Sequence, residues 1–298
     1  MSAIQITPDL LRSMPMPGLG DNPDKDSRGR VLIIGGGPEV PGAAVLAGVA
    51  ALRAGAGKLQ MAATAAYAQV LTSAIPEARV IQVPAARNGE IGKSAVNALT
   101  GLVARADGVV IGPGMMNDEA ASQLAAALVS GRSAAQATFV LDAGAITGLD
   151  GLTDQLAVAA GRLVLTPHAG EMAALLGLER DTVEADPVLA ARTVAQRLGA
   201  VVVMKGKTTH VVSPDGLVWR HESVAPGLAT SGSGDVLAGV IGGLLARGAP
   251  PAAGAIWGVW LHGAAGAALA EAVGPLGFLA REILDQIPRV MASVSNPD

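Results

Sequence analysis

The length, composition and charge of the chain exclude several classes of protein. Its 298 residues include 21 basic and 25 acidic side chains, for a formal charge of -4, and they form no Lys/Arg cluster. We therefore expect neither a nucleic-acid interface nor a membrane-surface patch, and a small molecule is the expected partner. The absence of cysteine excludes disulfides and thiolate metal sites. Residues 1–17 contain Asp9 and lack the apolar stretch of a signal peptide, so we expect a cytoplasmic protein.

The apolar residues are unusually small. Half of the chain is hydrophobic, yet it has only two Phe and one Tyr. A core of small aliphatic side chains suits helices that pack closely on a parallel sheet.

Short β-branched runs alternate along the chain with Ala- and Leu-rich segments of helical length. This alternation predicts βαβ units and an α/β fold with a mostly parallel sheet. The predicted strands are 31–34, 58–62, 79–83, 108–111, 138–141, 163–166 and 201–204, and the predicted helices are 42–54, 93–103, 118–129, 171–176, 187–198 and 235–246.

Two features concern the later part of the chain. The sequence Pro214-Asp215-Gly216 separates two extended runs, 210–213 and 217–220, which predicts a β-hairpin and a mixed sheet edge. The uncharged run 250–270 is about as long as a bilayer is thick, but its apolarity comes largely from Ala and Gly. We therefore expect a buried helix there.

No linker, charge block or repeat divides the chain. We expect a single catalytic domain over residues 29–298, preceded by a loose N-terminal arm over residues 1–28.

Glycine-rich loops follow two of the predicted strands. In open parallel sheets, ligands bind beyond the carboxyl ends of the strands. Gly35-Gly36-Gly37 follows the first strand and leads through Ala43 into a helix, and Gly112-Pro113-Gly114 follows a later strand. Both loops let a ligand approach the backbone closely, although each is also compatible with a plain turn.

The segment Thr166-Pro167-His168-Ala169-Gly170-Glu171 places an imidazole and a carboxylate at another strand end. We expect His168 to contact a ligand, while a capping or core role is its alternative. Glu171 is a weak candidate for a metal ligand, since an acidic residue in the first turn of a helix is also favoured by the helix dipole.

A cationic segment follows the strand 201–204. Lys205, Gly206, Lys207, Thr208 and Thr209 place ammonium groups and hydroxyls at the strand end, where a phosphate is the expected ligand. The alternative is an exposed entry to the hairpin with solvated lysines.

The most specific segment is Thr230-Ser231-Gly232-Ser233-Gly234-Asp235, which opens an apolar helix. The unpaired amides of the first helical turn, with Gly232 and Ser233, predict an anion hole. Asp235 lies beside it and is our candidate for a general base, although an acidic residue there can also serve only as a cap.

Taken in order, these five segments resemble the ribokinase-like superfamily, and most closely its ADP/ATP-dependent NAD(P)H-hydrate dehydratase branch. The resemblance implies a three-layer α/β/α sandwich. It also implies a nucleotide site at Lys205, Gly206, Lys207, Thr208, Thr209 and Gly234, and a site for the hydrated dinucleotide at Ala43, Gly114, His168 and Asp235.

The implied reaction converts the 6S hydrate of NADH or NADPH back to the normal cofactor while ADP is split to AMP and phosphate. ADP is the phosphoryl donor, with ATP as the alternative, and Mg²⁺ is the implied metal. The resemblance further implies a homotetramer that works with a separate NAD(P)H-hydrate epimerase.

The sequence departs from the family pattern in two places. The loop Thr230-Ser231-Gly232-Ser233-Gly234-Asp235 stands where the family commonly has a second Gly and a Thr, and Asp142-Ala143-Gly144-Ala145 lacks an expected second Asp. Two rival functions stay open: a small-molecule kinase of the hydroxyethylthiazole or pyrimidine type, and a nucleotide-binding regulator without activity. Asp235 argues against the regulator, and His168 with Glu171 argues against the kinase.

Overall fold

A single mixed sheet organises the chain. The computed structural model describes residues 3–18, 24–134 and 136–295. Within these ranges ten strands pair in the order β1-β10-β9-β8-β7-β6-β5-β2-β3-β4. The strands are β1 Ile4–Gln5, β2 Arg30–Ile34, β3 Lys58–Ala63, β4 Ala78–Gln82, β5 Gly108–Ile111, β6 Thr138–Leu141, β7 Leu163–Leu165, β8 Val201–Met204, β9 Thr208–Val212 and β10 Val218–Glu222.

The strand pairing confirms the predicted parallel sheet and its mixed edge. The seven adjacent strands β8-β7-β6-β5-β2-β3-β4 are all parallel to one another. In contrast, β9 runs antiparallel to both β8 and β10. The hairpin therefore lies where Pro214-Asp215-Gly216 predicts it. Its first strand begins at Thr208, two residues earlier than expected.

Helices cover both faces of the sheet. They are α1 Pro8–Ser13, α2 Pro41–Arg53, α3 Ala68–Ala74, α4 Val96–Val103, α5 Asp118–Val129, α6 Gly144–Thr147, α7 Thr153–Leu156, α8 Ala169–Leu176, α9 Arg180–Ala185, α10 Pro187–Leu198, α11 Ser233–Ala246, α12 Pro251–Ala272 and α13 Ala280–Ser295. One layer contains α2, α11, α12 and α13, and the other contains the helices from α4 to α10. The architecture is the expected three-layer α/β/α sandwich.

Small residues bring α2 and α11 into close contact along the middle of α11. A Cβ at Gly239 would overlap the carbonyl oxygen of Ala47, and one at Gly243 would overlap that of Ala51. Only glycine allows backbones to approach this closely. The Ala- and Gly-rich composition therefore has a direct structural use.

The buried helix expected over residues 250–270 is present as α12. Among the helices that the structure describes, it alone has the length and the apolar composition needed to cross a membrane. In its most apolar 18-residue window 61% of the residues are buried, and it packs against α11, α13 and the strands β7 to β10. These contacts are those of a core helix.

The N-terminal arm is packed, contrary to our expectation of a loose segment. Ile4 and Gln5 pair with β10, and Thr7 caps α1 by accepting a hydrogen bond from the Leu10 amide at 3.2 Å. Leu11 is fully buried, and the Trp257 indole donates to the carbonyl oxygen of Met14 at 2.9 Å. Residues 1–2 and 19–23 of the arm lie outside the described residues, and a domain boundary at residue 28 stays a prediction.

Candidate active site

Five loops follow neighbouring parallel strands at the carboxyl edge of the sheet. The strands β2, β5, β6, β7 and β8 are adjacent in that order. Their following loops therefore lie side by side: residues 35–37, 112–114, 142–144, 166–171 and 205–207. Four of these loops were singled out from the sequence, and the loop 142–144 was not. The sheet brings all five together, as expected for a ligand site in this class of fold.

The two glycine loops touch each other directly. The Gly36 amide donates to the carbonyl oxygen of Pro113 at 2.6 Å. Gly114 has a φ of +69°, and a Cβ there would lie 2.6 Å from the Cβ of Ala43 and 2.7 Å from the carbonyl oxygen of Val40. Ala43 is buried beneath this loop. These residues thus form a close-packed backbone surface with no room for a side chain at position 114.

A buried carboxylate that we did not predict braces this surface. Glu90 is only 6% exposed, and its two carboxylate oxygens accept hydrogen bonds from the amides of Met116 and Asn117, each at 3.2 Å. A Cβ at Gly37 would lie 3.3 Å from Glu90 Oε1. Glu90 therefore holds the loop after β5 against the loop after β2. Nothing in its local sequence distinguishes it from a surface glutamate.

The loops after β6, β7 and β8 meet in a cluster of charged side chains. Lys205 Nζ lies 3.0 Å from Asp142 Oδ1 and 3.6 Å from Glu171 Oε2. Asp142 is almost fully buried, and its Oδ1 also accepts a hydrogen bond from the Thr166 hydroxyl at 2.6 Å. The lysine is thus held at the strand edge by two carboxylates. Asp142 directly follows a predicted strand, so the rule that singled out the other loops could also have found it.

The charge of Lys205 is stable in this environment. Burial by itself lowers the pKa of the ammonium group, but the nearby charges of Asp142 and Glu171 outweigh that effect and leave the pKa raised. Lys205 therefore offers a permanent positive charge at the strand edge.

His168 and Glu171 form a capping box at the start of α8. His168 Nδ1 accepts from the amides of Gly170 and Glu171 at 3.0 and 3.2 Å, and Glu171 Oε2 accepts from the His168 amide at 2.8 Å. Both side chains thus have a structural role. The Glu171 carboxylate is shared among the His168 amide, the His168 ring and Lys205. The described residues contain no group of three or more His, Asp or Glu side chains that could hold a metal ion.

The glycine-rich segment before α11 faces Lys205. A Cβ at Gly234 would lie 3.4 Å from Lys205 Nζ, which places the first turn of α11 next to the ammonium group. Gly232 has a φ of +88° and precedes the first helical residue, Ser233. The free amides of the first helical turn and the cation together favour an anion at this position.

Asp235 lies in the first turn of α11, where its carboxylate can change charge near neutral pH. Burial raises its pKa, and the charge of Asp142 raises it further, whereas Lys205 lowers it, with the result that the pKa is about 7. A general base is most effective when its pKa lies near the working pH. Gly232, which precedes the helix, has no side chain to cap it, and the helix dipole also favours an acidic residue such as Asp235 in the first turn.

A cleft of about 1370 Å³ opens along the charged loops. Of the residues predicted to bind ligands, its lining includes His168, Lys205, Gly206, Lys207, Thr208, Thr209, Ser233 and Gly234. Ala43, Gly114, Gly232 and Asp235 are outside the lining. Three histidines that we did not assign to the site, His210, His221 and His262, also line the cleft.

These observations define a class of site: an anion-binding helix start with a fixed cation and a titratable carboxylate, at the strand ends of an α/β sandwich. Comparison with known proteins narrows the class. A family model described as NAD(P)H-hydrate dehydratase matches residues 31–289. The chain therefore belongs to the NAD(P)H-hydrate dehydratase family.

Individual relatives agree with this assignment. An ADP-dependent (S)-NAD(P)H-hydrate dehydratase of Xanthomonas campestris is 47% identical over 289 residues, covering 96% of this chain and 95% of the relative. A bifunctional NAD(P)H-hydrate repair enzyme of Moorella thermoacetica is 38% identical over 89% of this chain, which spans 50% of that longer protein.

Solved structures show the same fold. The ADP/ATP-dependent NAD(P)H-hydrate dehydratase of Bacillus subtilis, co-crystallised with ATP and Mg²⁺, superposes with a TM-score of 0.80 at 26% identity over 99% of both chains. A hydroxyethylthiazole kinase of Pyrococcus horikoshii superposes with a TM-score of 0.59 at 18% identity, covering 94% of this chain and 92% of the kinase, and shares the fold alone.

One of the two departures from the family pattern has a structural reason. A Cβ at Gly144 would lie 2.6 Å from the carbonyl oxygen of Met115 and 3.1 Å from Asp118 Oδ1. An aspartate at this position would therefore clash with the backbone and face another carboxylate. Ser231 is exposed, and nothing in the structure explains why it replaces glycine.

Proposed function

We propose that the protein is an ADP-dependent (S)-NAD(P)H-hydrate dehydratase, which returns hydrated NADH or NADPH to the normal cofactor while ADP is converted to AMP and phosphate. The observation that carries the proposal is the position of Asp235. Its carboxylate, with a pKa of about 7, lies at the anion-binding start of α11, next to the fixed charge of Lys205. The 47% identical relative, which is named for this activity, supports the choice of substrate.

The chemistry follows from the need to remove a poor leaving group. Asp235 takes the proton of the C6 hydroxyl, and the hydroxyl oxygen forms a bond to the β-phosphorus of ADP while the bond to the AMP oxygen breaks. The ring nitrogen lone pair then expels phosphate from C6 to give an iminium ion, and release of a C5 proton to water restores the C5–C6 double bond of the dihydronicotinamide. The oxygen of the added water leaves in the phosphate.

The residues divide between the two ligands. The nucleotide is bound by Lys205, Gly206, Lys207, Thr208, Thr209 and Gly234, with Gly232 and Ser233 completing the anion hole. Ala43, Gly114 and His168 hold the hydrated dinucleotide beside Asp235. The contact between the two glycine loops supports this division, since a flat nicotinamide ring needs a surface without side chains.

The donor groups fit Mg²⁺ that arrives with the nucleotide. Magnesium in such sites is usually bound by one or two carboxylates, with phosphate oxygens and waters as its other ligands. The Asp142 side chain meets this need, because Lys205 and Thr166 both bind its Oδ1, and no hydrogen bond within the described ranges engages its Oδ2. When bound, Mg²⁺ neutralises charge on the phosphoryl group. Glu171 is a poorer ligand because its carboxylate is shared within the capping box.

The proposal also includes the cell compartment, the oligomeric state and the partner enzyme. We expect a cytoplasmic enzyme that forms a homotetramer and depends on a separate NAD(P)H-hydrate epimerase to convert the other epimer. Gel filtration with light scattering tests the assembly. Addition of an epimerase to the assay tests the partner, because it should raise the final recovery from mixed hydrate.

The deciding experiment supplies purified protein with Mg²⁺, ADP and chemically hydrated NADH. We expect the dihydronicotinamide absorbance to return and AMP to form in equal amount; ATP and hydrated NADPH are the comparison substrates. Failure with both nucleotides and both hydrates would overturn the proposal. A stable phosphorylated thiazole or pyrimidine alcohol would instead identify a kinase, and nucleotide binding without any turnover would identify a regulator.

A further inference from the structure

His262 connects the apolar helix α12 to the anion-binding start of α11. It is the only ionisable side chain in the run 250–270. Its Nε2 lies 2.9 Å from the hydroxyl oxygen of Ser233 and 3.1 Å from the carbonyl oxygen of the same residue. Ser233 is the first residue of α11, and both side chains line the cleft. The imidazole on α12 therefore contacts Ser233, the first residue of the helix whose start is the proposed phosphate site.

The carbonyl contact decides which nitrogen of His262 carries the proton. A carbonyl oxygen can only accept, so Nε2 must carry a hydrogen to be stable at 3.1 Å from it. Burial is the main cause that lowers the pKa of His262, to about 4, so the ring is neutral at pH 7. The ring is then the Nε2–H tautomer, and its hydrogen is shared between the two oxygens of Ser233.

This tautomer determines what the Ser233 hydroxyl can do. A hydroxyl that accepts from His262 keeps its own hydrogen for another acceptor. No second partner of Ser233 Oγ exists among the residues that the structure describes. The neighbouring Gly234 lies against Lys205 Nζ, so the free hydrogen is next to the expected position of a phosphate.

We propose that His262 is a positioning residue, which fixes the Ser233 hydroxyl as a hydrogen-bond donor to the nucleotide phosphate at the start of α11. The inference rests on the proposed function for the identity of the nucleotide. His262 does not touch substrate in this account; it acts through Ser233. Without the imidazole the hydroxyl can rotate and donate to the backbone, and the phosphate loses an oriented donor.

The alternative is that His262 is only a strut between α11 and α12. The two roles differ in a double-mutant cycle. If His262 acts through the hydroxyl, removal of the imidazole and removal of the hydroxyl are not additive for nucleotide binding. If it is a strut, its loss lowers stability and affects all ligands alike.

The test uses His262→Leu, Ser233→Ala, the double variant and His262→Gln, whose side-chain amide can restore a donor near Nε2. Ser122→Ala is the matched control, because Ser122 is a buried helix serine bonded to a backbone carbonyl and lies outside the cleft lining. Dissociation constants for ADP and for adenosine are measured by calorimetry. Values of kcat and KM come from the hydrate assay, and Tm reports folding.

We expect His262→Leu and Ser233→Ala each to weaken ADP binding about tenfold, the usual range for a hydrogen bond to a charged group. Adenosine binding should stay unchanged, and the double variant should be no weaker than the single variants. His262→Gln should recover most of the loss, and Ser122→Ala should match the wild type. Since binding is measured without turnover, these outcomes are independent of whether the hydrate is the substrate.

Several results would overturn the inference. Equal losses for ADP and adenosine, additive losses in the double variant, or wild-type ADP affinity in His262→Leu each exclude a role through the hydroxyl. If His262→Leu does not fold, His262→Gln and Ser233→Ala still decide: wild-type ADP affinity in Ser233→Ala contradicts the inference. Absence of ADP binding by the wild-type protein contradicts both this inference and the proposed function, whereas binding without hydrate turnover contradicts the proposed function alone.

Discussion

The carboxyl edge of the sheet has two regions that are built differently. The loops after β2 and β5 offer glycine backbone, and the buried carboxylate beside them, Glu90, accepts hydrogen bonds from backbone amides. The loops after β6, β7 and β8 and the start of α11 offer charged side chains: Lys205 is held between Asp142 and Glu171, and Asp235 lies in the first turn of the helix. We infer a division of labour, in which the glycine region shapes a surface for the dinucleotide and the charged region binds phosphate and transfers the proton.

The division has a physical basis. Close approach to a flat ligand requires positions without Cβ, which also carry no functional groups. Proton and phosphoryl transfer require fixed charges in a partly dry environment, which raise or lower the pKa values of their neighbours. The following predictions test this contrast between the two regions.

The largest effect is expected for Asp235→Asn. Loss of the general base should lower kcat by about 10²- to 10⁴-fold, while calorimetry should show nearly unchanged affinity for ADP. Asparagine keeps the shape of the side chain, so the loss reports on chemistry. Activity of this variant near the wild-type level would exclude Asp235 as the general base.

The same substitution also has a predicted effect on stability. Because the pKa of Asp235 rises from 3.8 to about 7 on folding, its stabilising contribution is full below pH 4 and is lost as the pH rises through about 7. At pH 8 the free energy of unfolding of Asp235→Asn should therefore exceed that of the wild type, by up to about 4 kcal/mol, and its Tm should be higher. At pH 4 the two Tm values should be similar. An equal Tm at pH 8 would contradict the raised pKa.

Gly114→Ala tests the glycine region. Its φ of +69° and the contacts with Ala43 and Val40 leave no space for a methyl group. We expect the KM for the hydrate to rise about tenfold or more, with the KM for ADP and the kcat at saturation within about twofold, since uniform binding is lost.

The matched control for this variant is Gly161→Ala. Gly161 also has a positive φ, +78°, but a Cβ there would meet nothing within 4 Å. It should show only the backbone cost of about 1–2 kcal/mol in chemical denaturation, with unchanged kinetics. A fall of kcat in Gly114→Ala at unchanged KM would place this loop in the catalytic region instead.

Variants of Asp142 and Lys205, the two charged residues beside Asp235, should shift the pH profile of kcat/KM in opposite directions. Asp142 raises the pKa of Asp235 and Lys205 lowers it. The base acts when deprotonated, so kcat/KM should rise with pH through about 7 in the wild type. Asp142→Asn should move this acid limb to lower pH and Lys205→Met to higher pH, each by about one unit. Shifts in the same direction would contradict this electrostatic account.

The smallest effect is expected for Glu171→Gln. If Glu171 is chiefly a capping residue, the loss in stability should be about 1 kcal/mol, measured by urea unfolding. The Mg²⁺ concentration that gives half-maximal activity should stay the same. A clear rise in that concentration would show that Glu171 binds the metal.

Much of the fold could be read from local patterns. Each predicted strand lies within two residues of an observed one, because runs such as Val201–Met204 are apolar, β-branched and bounded by turn residues. The helix α13 could have been predicted as well, since Ile283, Leu284, Ile287 and Val294 recur at helical spacing and are buried. The strand Ile4–Gln5 could not, because two residues carry no periodicity and pair only where the edge of β10 is available.

The sequence by itself determined the contiguous motifs of the site, which are the glycine loops, Lys205 to Thr209 and the segment that ends at Asp235. Glu90, Asp142 and His262 stand outside these motifs and were not predicted from the sequence. Only the tertiary structure decided how these groups act on one another. Lys205 and Asp142 are 63 residues apart, and His262 and Ser233 are 29 apart. Burial and neighbouring charge set the pKa of Asp235 and the tautomer of His262, and both are properties of the folded surroundings that no local motif encodes.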